Sequence, residues 1–176
     1  MLDENARQQV DAAVRTSQII LAAMAMGIVM FAGIVVFVIP GDEPAEGNLL
    51  SVLAGVVAGV NLVLCLVVPS FIAAANRRRL AMGAGQSADQ PDLGASAEFG
   101  KLAAVYQVKM IVGAALLEGA CFLALCAYMI ERQMPSLVVT VVLLAALLAH
   151  FPTHGRGEAW IEDQLRRVAD ERRFSP

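Results

Sequence analysis

The sequence predicts an all-α polytopic membrane protein: a four-transmembrane-helix bundle with a short cytoplasmic amphipathic C-terminal helix. Hydrophobic residues make up 58% of the 176 residues and charged residues 16%, too apolar for one water-soluble core. The apolar residues fall into four runs of helical length, and alternating segments of about ten residues, typical of barrel strands, are absent. Because unpaired backbone amides are costly in lipid, we expect these runs to form helices.

The first half of the chain is predicted to form one helical hairpin. Residues 1–16 are a cytoplasmic N-terminal segment that is charged and lacks a cleavable signal pattern, so we expect the first span, residues 17–39, to be retained. Residues 40–48 form an outer loop with three acids and no base. The second span, residues 49–75, is long enough to cross about 30 Å of hydrocarbon.

The second half repeats this arrangement without repeating the sequence. Residues 76–104, rich in small and polar residues, are predicted to form a flexible cytoplasmic loop and the start of helix 3. The third span covers residues 105–130, and residues 131–135 form a tight outer turn. The fourth span, residues 136–151, is marginal in length and can draw on local thinning of the bilayer.

The tail, residues 152–176, carries apolar residues at helical spacing among acids and bases. It is expected to lie on the inner membrane face with Trp160 as an anchor, to pack on a neighbour, or to remain a solvated tail. Tyr106 and Lys109 are also predicted at the headgroup level, together with Arg77, Arg78 and Arg79.

Basic residues predict the orientation of the spans. Arginines and lysines precede the first span, lie between the second and third, and follow the fourth, which leaves Arg132 as the one base on the other side. Both termini should therefore face the cytoplasm, in what we expect to be a bacterial inner membrane. The net charge of −3 gives no support for a nucleic-acid partner, because the arginine cluster is explained as a topology determinant.

Small residues recur at a spacing of four on three of the helices. Gly55 and Gly59 form a GxxxG motif that lets another helix backbone approach closely. Similar pairs are Ala23 with Gly27 and Ala115 with Gly119. These faces either close the bundle itself or form an interface with a second copy or another membrane subunit.

Glu118 is the single acid inside the third apolar run. A central acid costs roughly 2.5 to 3.5 kcal/mol on insertion scales, so its presence indicates a functional or hydrogen-bonding role. We expect a protonated Glu118 that donates to the carbonyl of Cys65, which Pro69 frees, or to Thr140 at a similar depth.

The stretch Met110–Gly119 contains Gly113-Ala114-Ala115-Leu116-Leu117-Glu118-Gly119. It resembles the carboxylate-bearing helix of the rotary ATP synthase c subunit, with its G-x-A-L-x-E-[GA] pattern. The resemblance implies that Glu118 carries a proton or sodium ion. It covers this segment alone, and the glycine-rich first helix of that family has no counterpart beyond Gly55 and Gly59.

The motifs that would indicate an enzyme are absent, namely GxSxG, a Walker loop and HExxH. We therefore predict no catalytic residue, cofactor or metal; the one histidine pair, His150 and His154, is interrupted by Pro152. The main hypothesis is a non-enzymatic scaffold or subunit of a membrane assembly. The alternatives are an ion- or small-solute-translocating protein with Glu118 as carrier, and a membrane enzyme or lipid-handling protein that uses Glu118 with His150 or His154.

Overall fold

The computed structural model describes residues 4–39, 47–81 and 94–174, and the regular structure of these residues is helical, which confirms the all-α prediction. A π-helical segment, Ile34–Val38, continues α1. The helices are α1 (Glu4–Gly33), α2 (Leu49–Ala81), α3 (Gly94–Glu131), α4 (Met134–Ala149) and α5 (His154–Phe174).

Three sections are long and apolar enough to cross a membrane: Val10–Val38, Leu49–Ile72 and Leu102–Glu131. The predicted fourth span corresponds to α4, which is apolar but has only 16 residues. Pro135 lies in its first turn, where a missing N–H costs no helical hydrogen bond.

Several helices extend beyond their apolar sections. α1 begins at Glu4, well before the predicted span starts at residue 17, and α3 begins at Gly94, within the segment 76–104 that is predicted to contain its start. The apolar run marks the part of a helix that avoids water, whereas glutamate, glutamine, arginine and lysine are good helix formers outside it. The predicted flexible segment falls partly on residues 82–93, outside the described residues.

α1 and the π-helical segment that continues it bury a narrow seam of side chains along their length. The side chains of this seam are less than 2% exposed and recur at steps of four, three or seven residues, the spacing of a coiled-coil seam. They are Val10, Val14, Ser17, Leu21, Ile28 and Val35.

The chain divides into two compact units, and each has its own core. The apolar unit comprises residues 19–68 and 111–151, and α3 is its central helix. Half of the apolar section of α3 is buried, against 17% for the sections of α1 and α2. Leu21 and Ile28 of α1, Leu117 and Leu125 of α3, and Leu147 of α4 belong to its core.

The terminal unit comprises residues 1–18, 69–110 and 152–176. Ile161 of α5 packs there against Val10 and Val14 of α1 and Tyr106 of α3. The backbone of α5 comes close to α1, because a Cβ added to Gly157 would lie 3.0 Å from Cγ2 of Val14. α5 therefore packs against α1 and α3 of its own chain, an arrangement that is not among those expected for the tail.

Candidate functional site

The turn between α3 and α4 carries a buried acid that holds the start of α2. Glu131 is 5% exposed and ends α3. Its Oε1 accepts a hydrogen bond from the Leu50 amide at 2.6 Å, and its Oε2 accepts bonds from the Ser51 amide at 2.8 Å and the Ser51 hydroxyl at 2.6 Å. The first amides of a helix lack partners within the helix and carry partial positive charge. A carboxylate from α3 therefore caps α2.

Hydrogen bonds of two hydroxyl groups on α4 extend this cap. Ser136 donates to the Ser51 hydroxyl at 2.8 Å, and the hydroxyl of Thr140 donates to the Ser136 carbonyl at 3.0 Å. Ser51, Ser136 and Thr140 are all buried. Ser51 and Ser136 therefore satisfy each other inside an otherwise apolar layer, and Thr140 is satisfied by a backbone carbonyl of its own helix.

Arg132, the residue after Glu131, makes the complementary contact with the end of the first helix. Its guanidinium donates to the carbonyls of Val35 at 3.3 Å and Ile39 at 3.2 Å, and lies 5.6 Å from the centroid of the Tyr128 ring. The backbone of Arg132 has φ of 55°, which directs the chain into α4 and is unusual for a residue other than glycine. Together Glu131 and Arg132 form what we call the end clamp: an acid on a helix start and a base on a helix end.

Local sequence patterns do not reveal the end clamp. The sequence predicts a tight turn at residues 131–135, where the end clamp lies, but it does not predict the contacts of the end clamp. Arg132 is the one base that the orientation rule places on the outer side. The signal that points to it is an adjacent acid and base between two apolar runs, a pattern that fits the opposite partial charges of helix ends.

Glu118 does not have the partners that we expected. Its carboxyl is partly exposed and forms no hydrogen bond within the residues that the structure describes. The hydroxyl of Thr140 donates instead to the Ser136 carbonyl at 3.0 Å. The structure shows no hydrogen bond from Glu118 to either expected acceptor, the Cys65 carbonyl or the Thr140 hydroxyl.

The glycines predicted to pack helices face open space. A Cβ added to Gly27, Gly55, Gly59 or Gly119 would meet nothing within 4 Å. Their partners Ala23 and Ala115 are exposed as well. The chain packs its own helices through neighbouring alanines instead, since Ala54 is buried in a cluster with Ala124 and Ala127. These glycines therefore do not pack the described helices against one another.

Three of the residues predicted for the lipid interface form one cluster in the terminal unit. The rings of Tyr106 and Trp160 lie 5.5 Å apart at an interplanar angle of 46°, and the Lys109 ammonium lies 5.3 Å from the centroid of the Trp160 ring. Arg77, Arg78 and Arg79 belong to α2, but their side chains lie outside the described ones.

Within the described residues, no group of three or more histidine, cysteine, aspartate or glutamate side chains is arranged to hold a metal ion. Cys65, Cys121 and Cys126 are free thiols, and Asn61 donates to the Leu116 carbonyl at 3.1 Å to join α2 to α3. Comparison with protein-family models, curated proteins and solved structures finds no match to the chain.

Proposed function

We propose that the protein is a non-enzymatic integral membrane protein, a scaffold or subunit of a membrane assembly in the bacterial cytoplasmic membrane. All four apolar helices span the bilayer in this proposal, α4 with help from local thinning, and both termini are cytoplasmic. Large apolar side chains that no other described residue covers support a membrane location. Phe37 is 87% exposed, Leu49 79%, and Leu66 and Phe71 71% each. In water such a surface would be unusual for a monomer.

The observation that supports association is the open space at the glycines. Helices in lipid gain stability from close van der Waals packing, which small residues permit. A Cβ added at Gly55 or Gly59 of α2, or at Gly119 of α3, would meet none of the described residues within 4 Å. A second copy or another membrane subunit packs against these faces.

Replacement of Gly59 by leucine should weaken self-association by about tenfold or more without unfolding the chain. A Cβ added at Gly59 would meet nothing within 4 Å among the described residues, so we expect the leucine to block an approaching partner rather than disturb the fold. Sedimentation or native mass measurement of the purified protein in mild detergent gives the size of the assembly.

The matched control is Val60→Phe, which also adds four side-chain carbons at the next, 53% exposed position. It lies about 100° around the helix from Gly59 and should leave the assembly intact. A wild-type protein that is monomeric and retains no partner, or equal losses for both variants, would contradict the proposal.

The second candidate function is ion translocation with Glu118 as the carrier. The observation that favours it is the Glu118 carboxyl, which is partly exposed and forms no hydrogen bond in the described part of the chain. It lies next to Gly119, where an added Cβ would meet nothing within 4 Å. Such a group is available to an ion or to a neighbouring subunit, whereas an interior anchor would be saturated.

A hydrophobic carbodiimide distinguishes the two functions. If Glu118 carries an ion, it should be modified and sodium should suppress the reaction. Glu131 serves as the internal control, because it is buried and its oxygens already accept three hydrogen bonds, so it should not react. Modification that is indifferent to sodium, or none at all, would count against the carrier.

A further inference from the structure

Two aromatic rings and a basic side chain are in contact in the terminal unit. Lys109 lies over the face of Trp160, and the Tyr106 ring packs against the same indole. We call these three residues the basic aromatic cluster.

Lys109 has hydrogen-bonding capacity that the described residues do not use. Its ammonium carries three N–H donors, and the face of an indole attracts the positive charge without providing a hydrogen-bond acceptor of full strength. No carboxylate of the described residues lies within ion-pair distance of Lys109. The side chain is also only partly buried, so a group from outside the chain can reach it.

The position of the cluster along α3 indicates the kind of acceptor. Lys109 lies at the edge of an uncharged stretch, residues 110–117, that ends at Glu118. Tryptophan and tyrosine at the end of an apolar helix are typical of the headgroup level, and basic groups there attract anionic lipid. The acceptors at that depth are phosphate oxygens.

We propose that the basic aromatic cluster binds the phosphate of an anionic phospholipid, with the Lys109 ammonium as the donor. This inference rests on the membrane location proposed above and is independent of the glycine faces. The Trp160 ring holds the Lys109 ammonium in place, and the buried Tyr106 ring supports the indole from within the terminal unit.

Trp160 is the only tryptophan of the chain, so its fluorescence reports directly on this site. The purified full-length protein in a neutral maltoside detergent is titrated with phosphatidylglycerol, with phosphatidylcholine, and with inorganic phosphate. We expect a saturable change in Trp160 emission with phosphatidylglycerol alone. Native mass spectrometry counts the bound lipids independently, which matters for variants whose own fluorescence differs.

Lys109→Gln should raise the dissociation constant for phosphatidylglycerol about tenfold or more, the loss expected for a charge-assisted hydrogen bond. Arg166→Gln is the matched control, since it removes one charge from an exposed position of α5. It should change the constant by no more than about fivefold, the effect of one surface charge near anionic lipid.

Equal effects of the two variants would overturn the proposal, as would equal binding of both lipids. Saturation by inorganic phosphate would overturn the lipid as the source of the phosphate group. Any of these results would leave the need for detergent and the Gly59→Leu experiment unaffected, so failure of this site is distinguishable from failure of the proposed function.

Discussion

Glu131→Ala is expected to lower the free energy of unfolding in detergent by about 3 kcal/mol, because each buried donor left without an acceptor costs about 1 to 3 kcal/mol. The carboxylate accepts the amides of Leu50 and Ser51 and the Ser51 hydroxyl. Its loss also frees the hydroxyl that Ser136 uses as its acceptor. Titration with a denaturing detergent, followed by Trp160 fluorescence and circular dichroism, measures the change.

The matched control is Glu118→Ala, which removes the other acid from the apolar section of the same helix. Glu118 is partly exposed and forms no hydrogen bond in the described part of the chain, so its removal should change stability by less than about 1 kcal/mol. Glu131→Gln should fall between the two, since it keeps one good acceptor. Equal losses for Glu131→Ala and Glu118→Ala would show that the end clamp is not a stabilising contact.

Gly157→Leu is expected to displace α5 from the terminal unit. Even a Cβ at this position would lie 3.0 Å from Val14 and 3.7 Å from both Tyr106 and Val10, so a leucine side chain has no room. Overpacking of this kind costs roughly 1 to 3 kcal/mol and more when a whole side chain is added. We expect Trp160 emission to shift to the red and trypsin to cleave α5 faster at Arg166 and Arg167.

Gly155→Leu makes the identical change two residues earlier, where an added Cβ meets nothing within 4 Å. It should leave both readouts at their wild-type values. Ile161→Ala provides a second route to the same result, because this side chain is 1% exposed and its truncation should cost about 2 to 5 kcal/mol. Slow cleavage and unchanged emission in Gly157→Leu would mean that α5 is not held by this contact.

Hydropathy locates the four apolar sections because burial away from water leaves a strong signal in local sequence. It does not locate the end clamp, whose contacts join Glu131 to Ser51, 80 residues away. A charged residue in a turn has the same appearance whether it meets water or caps a helix. Long-range partners of this kind follow from how helices pack, which local periodicity does not specify.

For the candidate site, the sequence predicts how far along its helix each residue lies, but not which way its side chain faces. Tyr106, Lys109 and Trp160 are assigned to one level by their sequence and are in contact. Thr140 and Cys65 match Glu118 when residues are counted along each helix, yet the structure shows no hydrogen bond from Glu118 to either of them. Counting gives the height of a residue in a span, whereas its rotation about the helix axis depends on which face packs.

The end clamp has a consequence for biosynthesis. The carbonyls at the end of the first helix and the amides at the start of α2 receive their partners from residues 131 and 132. A nascent chain therefore emerges with its first hairpin complete but unsecured until the ribosome has translated the turn before α4. These helix ends gain their hydrogen-bond partners only after the second half of the polypeptide has been synthesised, so this part of the fold forms late in translation or after it.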